Sequence, residues 1–300
     1  MTTLIRPTKF IRQMQADNSI PGHILFINDD EILTTNGKHT TSSGYNTTGL
    51  STINSFQQLP DSDDVIAAVH WKHCLVIMNR VTHQTMPIVS SCRGESGYKD
   101  GQLSEARMTY PMDIILSKKH PRILYLSELA QSRIREVDLR SSSKGVTTIM
   151  TTNTYGCLPV RMVMNEIGDS IYFTSGGRIC KFYFPTKAVQ LVAGAAPSKF
   201  GYHDHTLLNS LFSGLEDIIQ VSAQVFLVAE TTNHRLRILN IGSDDVSSVC
   251  TDGDKVVDGS LFECEMQHPF SLLYFNDTLY VGEQDAIRQV KGKITPSDIP

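Results

Sequence analysis

The stretch Asp100-Gly101-Gln102-Leu103 decides the fold, because its pattern returns twice in this chain of 300 residues. The later copies begin at Asp204-His205 and at Asp258-Gly259. In each copy a small or apolar residue follows the Asp by six positions and a large apolar residue by eight. Pro or Leu then follows by eleven positions and an aliphatic residue by fourteen. Identical offsets in three segments indicate a repeat protein.

The spacing of the copies gives the number of repeats. The three Asp residues are 104 and 54 residues apart, so the longer interval holds two units of 52 residues. A degenerate copy without the Asp-Gly pair follows Pro159, and weaker starts lie at Pro21 and Asp63. Six repeats are therefore predicted, with starts near residues 21, 63, 111, 159, 215 and 269.

Each repeat contains short strands. Runs rich in Ile, Val, Tyr and Thr, such as Met112–Leu116 and Ile123–Leu126, alternate with Gly, Asn, Asp and Ser. This pattern is typical of antiparallel strands, and no window of about 11 residues has helical periodicity. Four strands per repeat and six repeats predict an all-β fold, a six-bladed β-propeller of four-stranded antiparallel blades. The whole chain, residues 1–300, is expected to form this single domain.

The two chain ends indicate how the ring of blades closes. The last repeat shows three strands and is followed by Thr295–Asp298, whereas an extended stretch, Lys9–Met14, precedes the first repeat. We expect this N-terminal strand to complete the sixth blade. A frayed terminus is the alternative.

A motif in the fifth repeat resembles a known family. The stretch Asn233-His234-Arg235-Leu236-Arg237 resembles the turn of the NHL repeat, whose blades also carry an Asp-Gly pair and a Pro-led strand. The residues that match these two features are Asp100, Gly101, Pro111, Asp258, Gly259 and Pro269. The resemblance covers about residues 94–292 and implies a propeller, but one fold hosts unrelated activities.

The motif residues are interpreted as architectural. Asn tolerates the left-handed conformation at turns, which fits Asn233 and His234, and Asp-Gly pairs form turns without any ligand. Arg135 and Arg237 alternate with apolar residues, which suits an inter-blade or solvent-facing salt bridge.

Two metal sites are alternatives implied by resemblance. Amidated-peptide lyases are similar in fold to this repeat class and hold zinc with three His, for which the candidates here are His203, His205 and His268. Gluconolactonase-like propellers, to which the chain is distantly similar, bind calcium, and Asp113 and Asp217 lie at equivalent offsets in two repeats. Because close His pairs also fit exposed loops, a structural role is favoured for these residues. No cofactor is therefore expected, with zinc or calcium as the alternative.

Composition argues against several function classes. The chain has 27 Lys+Arg against 31 Asp+Glu, a net charge of −4, and one Trp. This disfavours the single-stranded RNA binding of some NHL propellers, which needs basic grooves and stacking platforms. The sequence contains no run of about 18 apolar residues, so it predicts no membrane-spanning helix. It also contains no motif of a nucleophilic, nucleotide-binding or redox enzyme.

Cysteines bear on the compartment. Six Cys and two glycosylation sequons, at Asn46 and Asn276, favour an extracellular location, whereas the absence of a secretory signal favours a cytoplasmic one. Cys250 and Cys264 flank one loop and are the expected disulfide pair. Cys74 and Cys180 are interpreted as ordinary strand positions, where free buried Cys is common.

The sequence thus predicts a non-catalytic binding or interaction module whose propeller faces present loops to a protein or glycan partner. A metal-dependent propeller enzyme, a zinc lyase or a calcium lactonase, is the first alternative. Single-stranded RNA binding is the second.

Overall fold

A computed structural model confirms the predicted fold, an all-β six-bladed propeller with blades of four antiparallel strands. The structure describes residues 2–5, 11–28, 31–50, 52–60, 62–140, 144–151, 155–195, 199–252, 257–261, 263–284 and 286–291. The described residues do not include Lys9, Phe10 or Thr295–Asp298, which belong to the two chain ends expected to close the ring of blades.

The first half of the chain supplies strand β1 (Thr2–Ile5) and blades 1 to 3. Blade 1 contains β2 (Ile11–Ala16), β3 (Ile24–Asn28), β4 (Glu31–Thr35) and β5 (Thr40–Ser42). Blade 2 contains β6 (Ile53–Gln58), β7 (Asp64–Val69), β8 (Cys74–Asn79) and β9 (Thr85–Val89). Blade 3 contains β10 (Pro111–Leu116), β11 (Ile123–Glu128), β12 (Arg133–Asp138) and β13 (Gly145–Met150).

The second half supplies blades 4 to 6 and a short parallel pair of strands. Blade 4 contains β14 (Met162–Met164), β15 (Ser170–Ser175), β16 (Arg178–Tyr183) and β17 (Ala188–Ala193). Blade 5 contains β18 (Leu215–Ser222), β19 (Val225–Glu230), β20 (Arg235–Asn240) and β21 (Asp245–Val249). The parallel pair is β22 (Thr251–Asp252) and β23 (Glu265–Met266). Blade 6 contains β24 (Ser271–Phe275), β25 (Thr278–Gly282), β26 (Ile287–Lys291) and β1.

The second strands of the blades are the most deeply buried elements. Every residue of β11, β15 and β19 is buried, so both faces of these strands are covered by the rest of the protein. The described residues contain two helical elements, the 3-10 turns His70–Lys72 and Leu207–Asn209. Among those residues, no helix is long and apolar enough to cross a membrane.

An N-terminal strand completes the sixth blade, but it is not the stretch that was predicted. Strand β1 pairs antiparallel with β26, with Thr3 opposite Arg288. Ile11–Met14 instead belong to β2, the first strand of blade 1. The prediction was wrong about the stretch because blade 1 was taken to start at Pro21, which left Lys9–Met14 without a blade.

Four of the six predicted starts coincide with the first strand of a blade, and two do not. Strands β10, β14, β18 and β24 begin within three residues of the predicted positions 111, 159, 215 and 269. The starts near 21 and 63 instead precede β3 and β7, which are second strands. Blades 1 and 2 begin at Ile11 and Ile53, where no Pro marks the first strand.

The chain divides into two compact units. The N-terminal unit comprises Gln15–Thr152 and Leu158–Met162, and the C-terminal unit comprises Met1–Met14, Asn153–Cys157 and Val163–Pro300. Within each unit the apolar core lies between consecutive blades. It lies between blades 1 and 2 and between blades 2 and 3 in the N-terminal unit, and between blades 4 and 5 and between blades 5 and 6 in the C-terminal unit. The single domain over the whole chain stays a prediction.

The six cysteines form three disulfides. Cys250 is bonded to Cys264, the pair that the sequence favoured. The interpretation of Cys74 and Cys180 as free strand residues was wrong, because Cys74 is bonded to Cys92 and Cys180 to Cys157, with Cα atoms 5.2 and 6.4 Å apart. Both are strand residues, but each reaches a loop cysteine about 20 positions away, which strand patterning does not reveal.

Candidate binding surface

Each blade has two loop-bearing edges. We call one of them the turn edge: it is formed by the turn between the second and third strands and by the loop that leads into the first strand. In an antiparallel blade these segments lie at the same end of the strands. Most of the residues singled out by the sequence lie here.

Three buried arginines organise the turn edge of blades 3, 5 and 6. The side chains of Arg135, Arg237 and Arg288 are fully buried, and each binds a Glu at the end of the second strand or just beyond it. The partners are Glu128, Glu230 and Glu283, at 3.2, 2.8 and 3.0 Å. Each Arg also donates to two backbone carbonyls of the loop that leads into its blade. These arginines therefore hold the loops in place.

The Asp of each repeat is the second partner of the buried Arg. Asp100, Asp204 and Asp258 lie 2.8, 2.6 and 3.0 Å from Arg135, Arg237 and Arg288, respectively. Asp100 also accepts hydrogen bonds from the backbone and hydroxyl of Thr148, and Asp204 from those of Ser248. Turn chemistry alone was thus an incomplete explanation of Asp100 and Asp258. The solvent-facing option for Arg135 and Arg237 was wrong.

The other motif residues have backbone roles. Gly101 has φ of 134°, a conformation that favours Gly, and exchanges two hydrogen bonds with Val146. Pro111 opens β10, and Pro269 precedes β24 and accepts a hydrogen bond from the Thr231 hydroxyl. Gly259 lies in the loop before β23.

Asp113 and Asp217 are the calcium candidates. Each accepts a hydrogen bond that links the first strand of its own blade to the first strand of the next blade. Asp113 is buried and accepts the Met162 N–H at 2.8 Å and the Ser55 hydroxyl at 2.7 Å. Asp217 accepts the Leu272 N–H at 2.7 Å. Burial raises the pKa of Asp113, although the positive charge of Arg161 opposes this effect. Their common offset in two repeats thus has a structural explanation.

The zinc candidates do not form a three-ligand cluster. His203 and His205 are stacked with ring centroids 5.4 Å apart, so they share a face as their spacing suggests. His268 packs instead against His234, with centroids 4.2 Å apart. In the parts of the chain that the structure describes, no three His, Cys, Asp or Glu residues are arranged to hold a metal ion.

The histidine of the NHL-like turn accepts a backbone hydrogen bond. The His268 N–H donates to Nδ1 of His234 at 3.2 Å, and Nδ2 of Asn233 donates to the Gly201 carbonyl at 2.9 Å. His234, with φ of 50°, is the left-handed residue of this turn. Burial, followed by the charge of His234, lowers the pKa of His268. The architectural interpretation of Asn233 and His234 fits these contacts.

Blade 2 contains the same hydrogen bond from a backbone N–H to the histidine of the turn, and here an aromatic cluster surrounds it. The Tyr110 N–H donates to Nδ1 of His73 at 3.1 Å, and both residues are left-handed, with φ of 49° and 53°. His70, Trp71 and His73 surround the Tyr110 ring at centroid distances of 5.0, 5.4 and 4.6 Å. Trp71 is 57% exposed. We call these four residues the Trp71 cluster.

A second exposed feature occurs in blades 3 and 5. The guanidinium groups of Arg133 and Arg235 lie 3.6 and 3.8 Å from the ring centroids of Tyr98 and Tyr202. Both tyrosines are about half exposed, and each precedes the repeat's Asp by two positions. These pairs were not predicted, although the Tyr-x-Asp pattern is visible in two repeats.

Exposed apolar side chains concentrate on the turn edge. Of the thirteen large hydrophobic residues that the structure shows as exposed, nine lie in its turns and loops. Those in the N-terminal unit are Trp71, Tyr98, Leu129 and Leu158. Those in the C-terminal unit are Tyr155, Phe200, Tyr202, Leu208 and Val257. This excess of exposed apolar side chains makes the turn edge the candidate binding surface.

Solved structures resemble the chain in fold. A Bacteroides ovatus auxiliary nutrient-binding protein is 14% identical, with a TM-score of 0.73 over 96% of this chain and 73% of that one. A chain of the nidogen/laminin complex is 12% identical, with a TM-score of 0.58 over 86% and 84%. A streptogramin B lyase is 9% identical, with a TM-score of 0.59 over 95% and 93%.

These similarities show the six-bladed propeller and nothing finer. A nutrient-binding protein and a lyase share the fold, so it does not distinguish binding from catalysis. No protein-family model matches the chain, and no curated protein matches it.

Proposed function

We propose that this protein is a non-catalytic binding module that holds a protein partner on its turn edge. The observation that carries the proposal is the concentration of exposed Trp, Tyr, Phe and Leu on that edge. Trp, Tyr and Arg are the residue types that contribute most binding energy at protein interfaces.

The structural roles of the Asp residues that recur in the repeats support binding over catalysis. Asp100, Asp204 and Asp258 are engaged by buried arginines. Asp113 and Asp217 cap backbone groups of neighbouring blades. These contacts explain the residues without a substrate. That the chain is an NHL-repeat protein, and that it needs no cofactor, are parts of the same proposal.

Two further observations agree with an extracellular binding role. The chain has three disulfides, which persist in oxidising compartments. One structurally similar propeller, from the nidogen/laminin complex, comes from an assembly of two proteins. A glycan partner is the alternative within the binding class.

Site-specific photo-crosslinking tests the proposal. A photoreactive amino acid would replace Trp71 or Phe200 on the turn edge and, as matched controls, Val81 of blade 2 or Ile167 of blade 4 on the opposite edge. All four are well exposed. In extracts of the native source we expect a discrete protein adduct from the turn-edge positions and none from the controls. Equal labelling at both edges, or none, would contradict the proposal.

Elemental analysis addresses the enzyme alternatives directly. Untagged protein purified without chelator would be analysed for zinc and calcium. About one ion per chain, together with a thermal shift on adding that ion, would favour a metal-dependent enzyme. We expect neither.

A further inference from the structure

We infer that the turn edge of blades 2 and 3 binds an acidic segment of a protein partner, with Trp71 as the apolar anchor and Arg133 as the carboxylate-binding group. This inference rests on the proposed function, because it assigns a chemistry to one part of the turn edge. It concerns the N-terminal unit alone.

The guanidinium group of Arg133 makes no hydrogen bond to a described residue. Its guanidinium lies over the Tyr98 ring, and its Nη1 is buried without a hydrogen-bond partner in the structure. No carboxylate of the described residues lies within salt-bridge distance of it. Nε and Nη2 of Arg133 are not among the buried atoms and form no hydrogen bond to a described residue, so these two N–H groups are open to a carboxylate supplied from outside the chain.

Two related arginines show what Arg133 lacks. Arg135, two positions further along β12, leaves its Nε buried without a partner, but its Nη1 and Nη2 bind Glu128, Asp100 and two carbonyl groups. Arg235, the equivalent of Arg133 in blade 5, stacks on Tyr202 but also donates from Nε to the Asn233 carbonyl at 2.8 Å. Arg133 shares the stacking of Arg235 but has no corresponding acceptor among the described residues.

Trp71 is exposed but fixed in place. The 3-10 turn that carries it ends at left-handed His73, whose Nδ1 accepts the Tyr110 N–H. Nδ1 of His70 lies 3.2 Å from the Pro111 carbonyl oxygen. The rings of His70 and Tyr110 meet the indole at right angles, at 5.0 and 5.4 Å. A prearranged aromatic side chain binds at a lower entropic cost than a mobile one.

The charge of this edge is opposite to that of the whole chain. Its carboxylates Asp100 and Glu128 share Arg135, which leaves one negative charge in excess, and Glu105 pairs with Lys99. Four basic residues that form no salt bridge to a described carboxylate outnumber that charge and Glu95 by two. These are Lys72, Arg93, Arg107 and Arg133. The net charge of the chain is −4, so a local basic excess selects an acidic ligand.

A protein segment fits these features better than a nucleic acid. Arg binds carboxylates through paired hydrogen bonds, and an exposed Trp on the same edge provides the apolar anchor of a protein interface. Single-stranded nucleic acid needs several stacking platforms along a continuous basic groove, whereas the exposed aromatic side chains that the structure shows on this edge are Trp71 and Tyr98.

The experiment uses Trp71 as its own reporter, because it is the single Trp of the chain. Random 12-residue peptides would be selected on the full-length protein by phage display, and the enriched peptides titrated while the indole emission is recorded. We expect enriched sequences with Asp or Glu beside an apolar residue, and a saturable change in emission. Replacing those acids by Gln should weaken binding about ten-fold or more.

Matched variants locate the site. Arg133→Gln should weaken peptide binding about ten-fold, whereas Arg235→Gln, the equivalent change in blade 5, should leave it unaltered. Trp71→Ala, measured by fluorescence polarisation of a labelled peptide, should weaken it at least as much as Arg133→Gln. Urea unfolding would establish that each variant is folded.

Several results would overturn the inference. These are enriched peptides without acidic residues, no enrichment, an Arg133→Gln variant that binds normally, or an oligouridine or heparin fragment that binds more tightly than the peptides. Crosslinking at Phe200 in the C-terminal unit would still test the proposed function, so the two failures are distinguishable.

Discussion

Blades 4 and 5 fasten the loop that leads into them in two different ways. The third residue of the third strand is Arg237 in blade 5 and Cys180 in blade 4. Arg237 binds Glu230 and Asp204 from within the core, whereas Cys180 is bonded to Cys157 of the preceding loop. The last residue of the second strand is accordingly Glu230 in blade 5 but Ser175 in blade 4.

At this position the fold requires a link between the third strand and the loop that leads into the blade, and either an ion-pair network or a disulfide can provide it. The two links differ in how their removal destabilises the protein. An ion-pair network leaves an uncompensated buried charge when one member is removed. A disulfide acts mainly on the unfolded chain, by restricting its conformations, and is sensitive to reductants.

Removing the buried arginine should have the largest effect. We expect Arg237→Met to lower the free energy of unfolding by about 3–5 kcal/mol, because Glu230 would remain buried without its partner. Urea denaturation followed by circular dichroism measures this. Arg235→Met, which removes a partly exposed Arg two positions away, is the control and should cost less than about 1 kcal/mol. If both variants cost the same, the network is not what holds the loop.

The disulfide should contribute somewhat less. Replacing both Cys157 and Cys180 by Ala is expected to lower the free energy of unfolding by about 3 kcal/mol, from the entropy of closing a loop with a sequence separation of 23 residues. Adding reductant should destabilise the wild type and the Arg237→Met variant alike, but this double variant to a smaller extent. A reductant effect of equal size in all three would show that the disulfide of blade 4 does not contribute.

The repeat pattern predicted the number of blades and the first strands of four of them. It succeeded there because Pro111 and the Asp at fixed offsets mark first strands. It failed in blades 1 and 2, since Pro21 and Asp63 precede second strands and first strands at Ile11 and Ile53 carry no marker. The length of a repeat predicts how many blades the chain contains. The residue at which each blade begins is predicted only where a residue such as Pro111 marks the first strand.

The candidate surface was harder to predict, for a physical reason. Alternation places Arg135 on one face of β12, but that face is buried only because a loop more than 25 residues earlier folds over it. Exposure of Trp71 likewise depends on the Tyr110 loop, 39 positions away. Tyr98 and Tyr202 could have been found, because both stand two positions before the repeated Asp.

A smaller effect is expected from the Asp partner of the buried arginine. Asp204→Ala should lower the free energy of unfolding by about 1–2 kcal/mol, because its carboxylate is one-third exposed and Glu230 still compensates Arg237. Ser248→Ala alone should cost less. The double variant should cost less than the sum of the two, since Asp204 accepts both hydrogen bonds from Ser248. Strict additivity would mean that the hydrogen bond from the Ser248 hydroxyl to Asp204 does not contribute to stability.

The smallest effect should come from pH, at the turn where blades 2 and 3 differ. His73 precedes the third strand of blade 2, and Ser132 occupies this position in blade 3; both residues have positive φ. Burial lowers the pKa of His73, and its Nδ1 accepts the Tyr110 N–H only when that nitrogen is unprotonated. The unfolded chain therefore binds this proton more readily than the folded one. The stabilisation is fully present above the ordinary His pKa of about 6.5 and declines as the pH falls through it.

The variant His73→Gln tests this pH dependence. Urea unfolding at intervals from pH 8 to pH 5 should show a shallower fall in the free energy of unfolding for the variant than for the wild type below about pH 6.5. Above pH 7 the two slopes should be parallel, which serves as the internal control. Ser132→Gln should leave the slope unchanged throughout, because the hydroxyl of Ser132 does not titrate in this range. If the free energy of unfolding of His73→Gln depends on pH as strongly as that of the wild type, protonation of His73 does not destabilise the turn of blade 2.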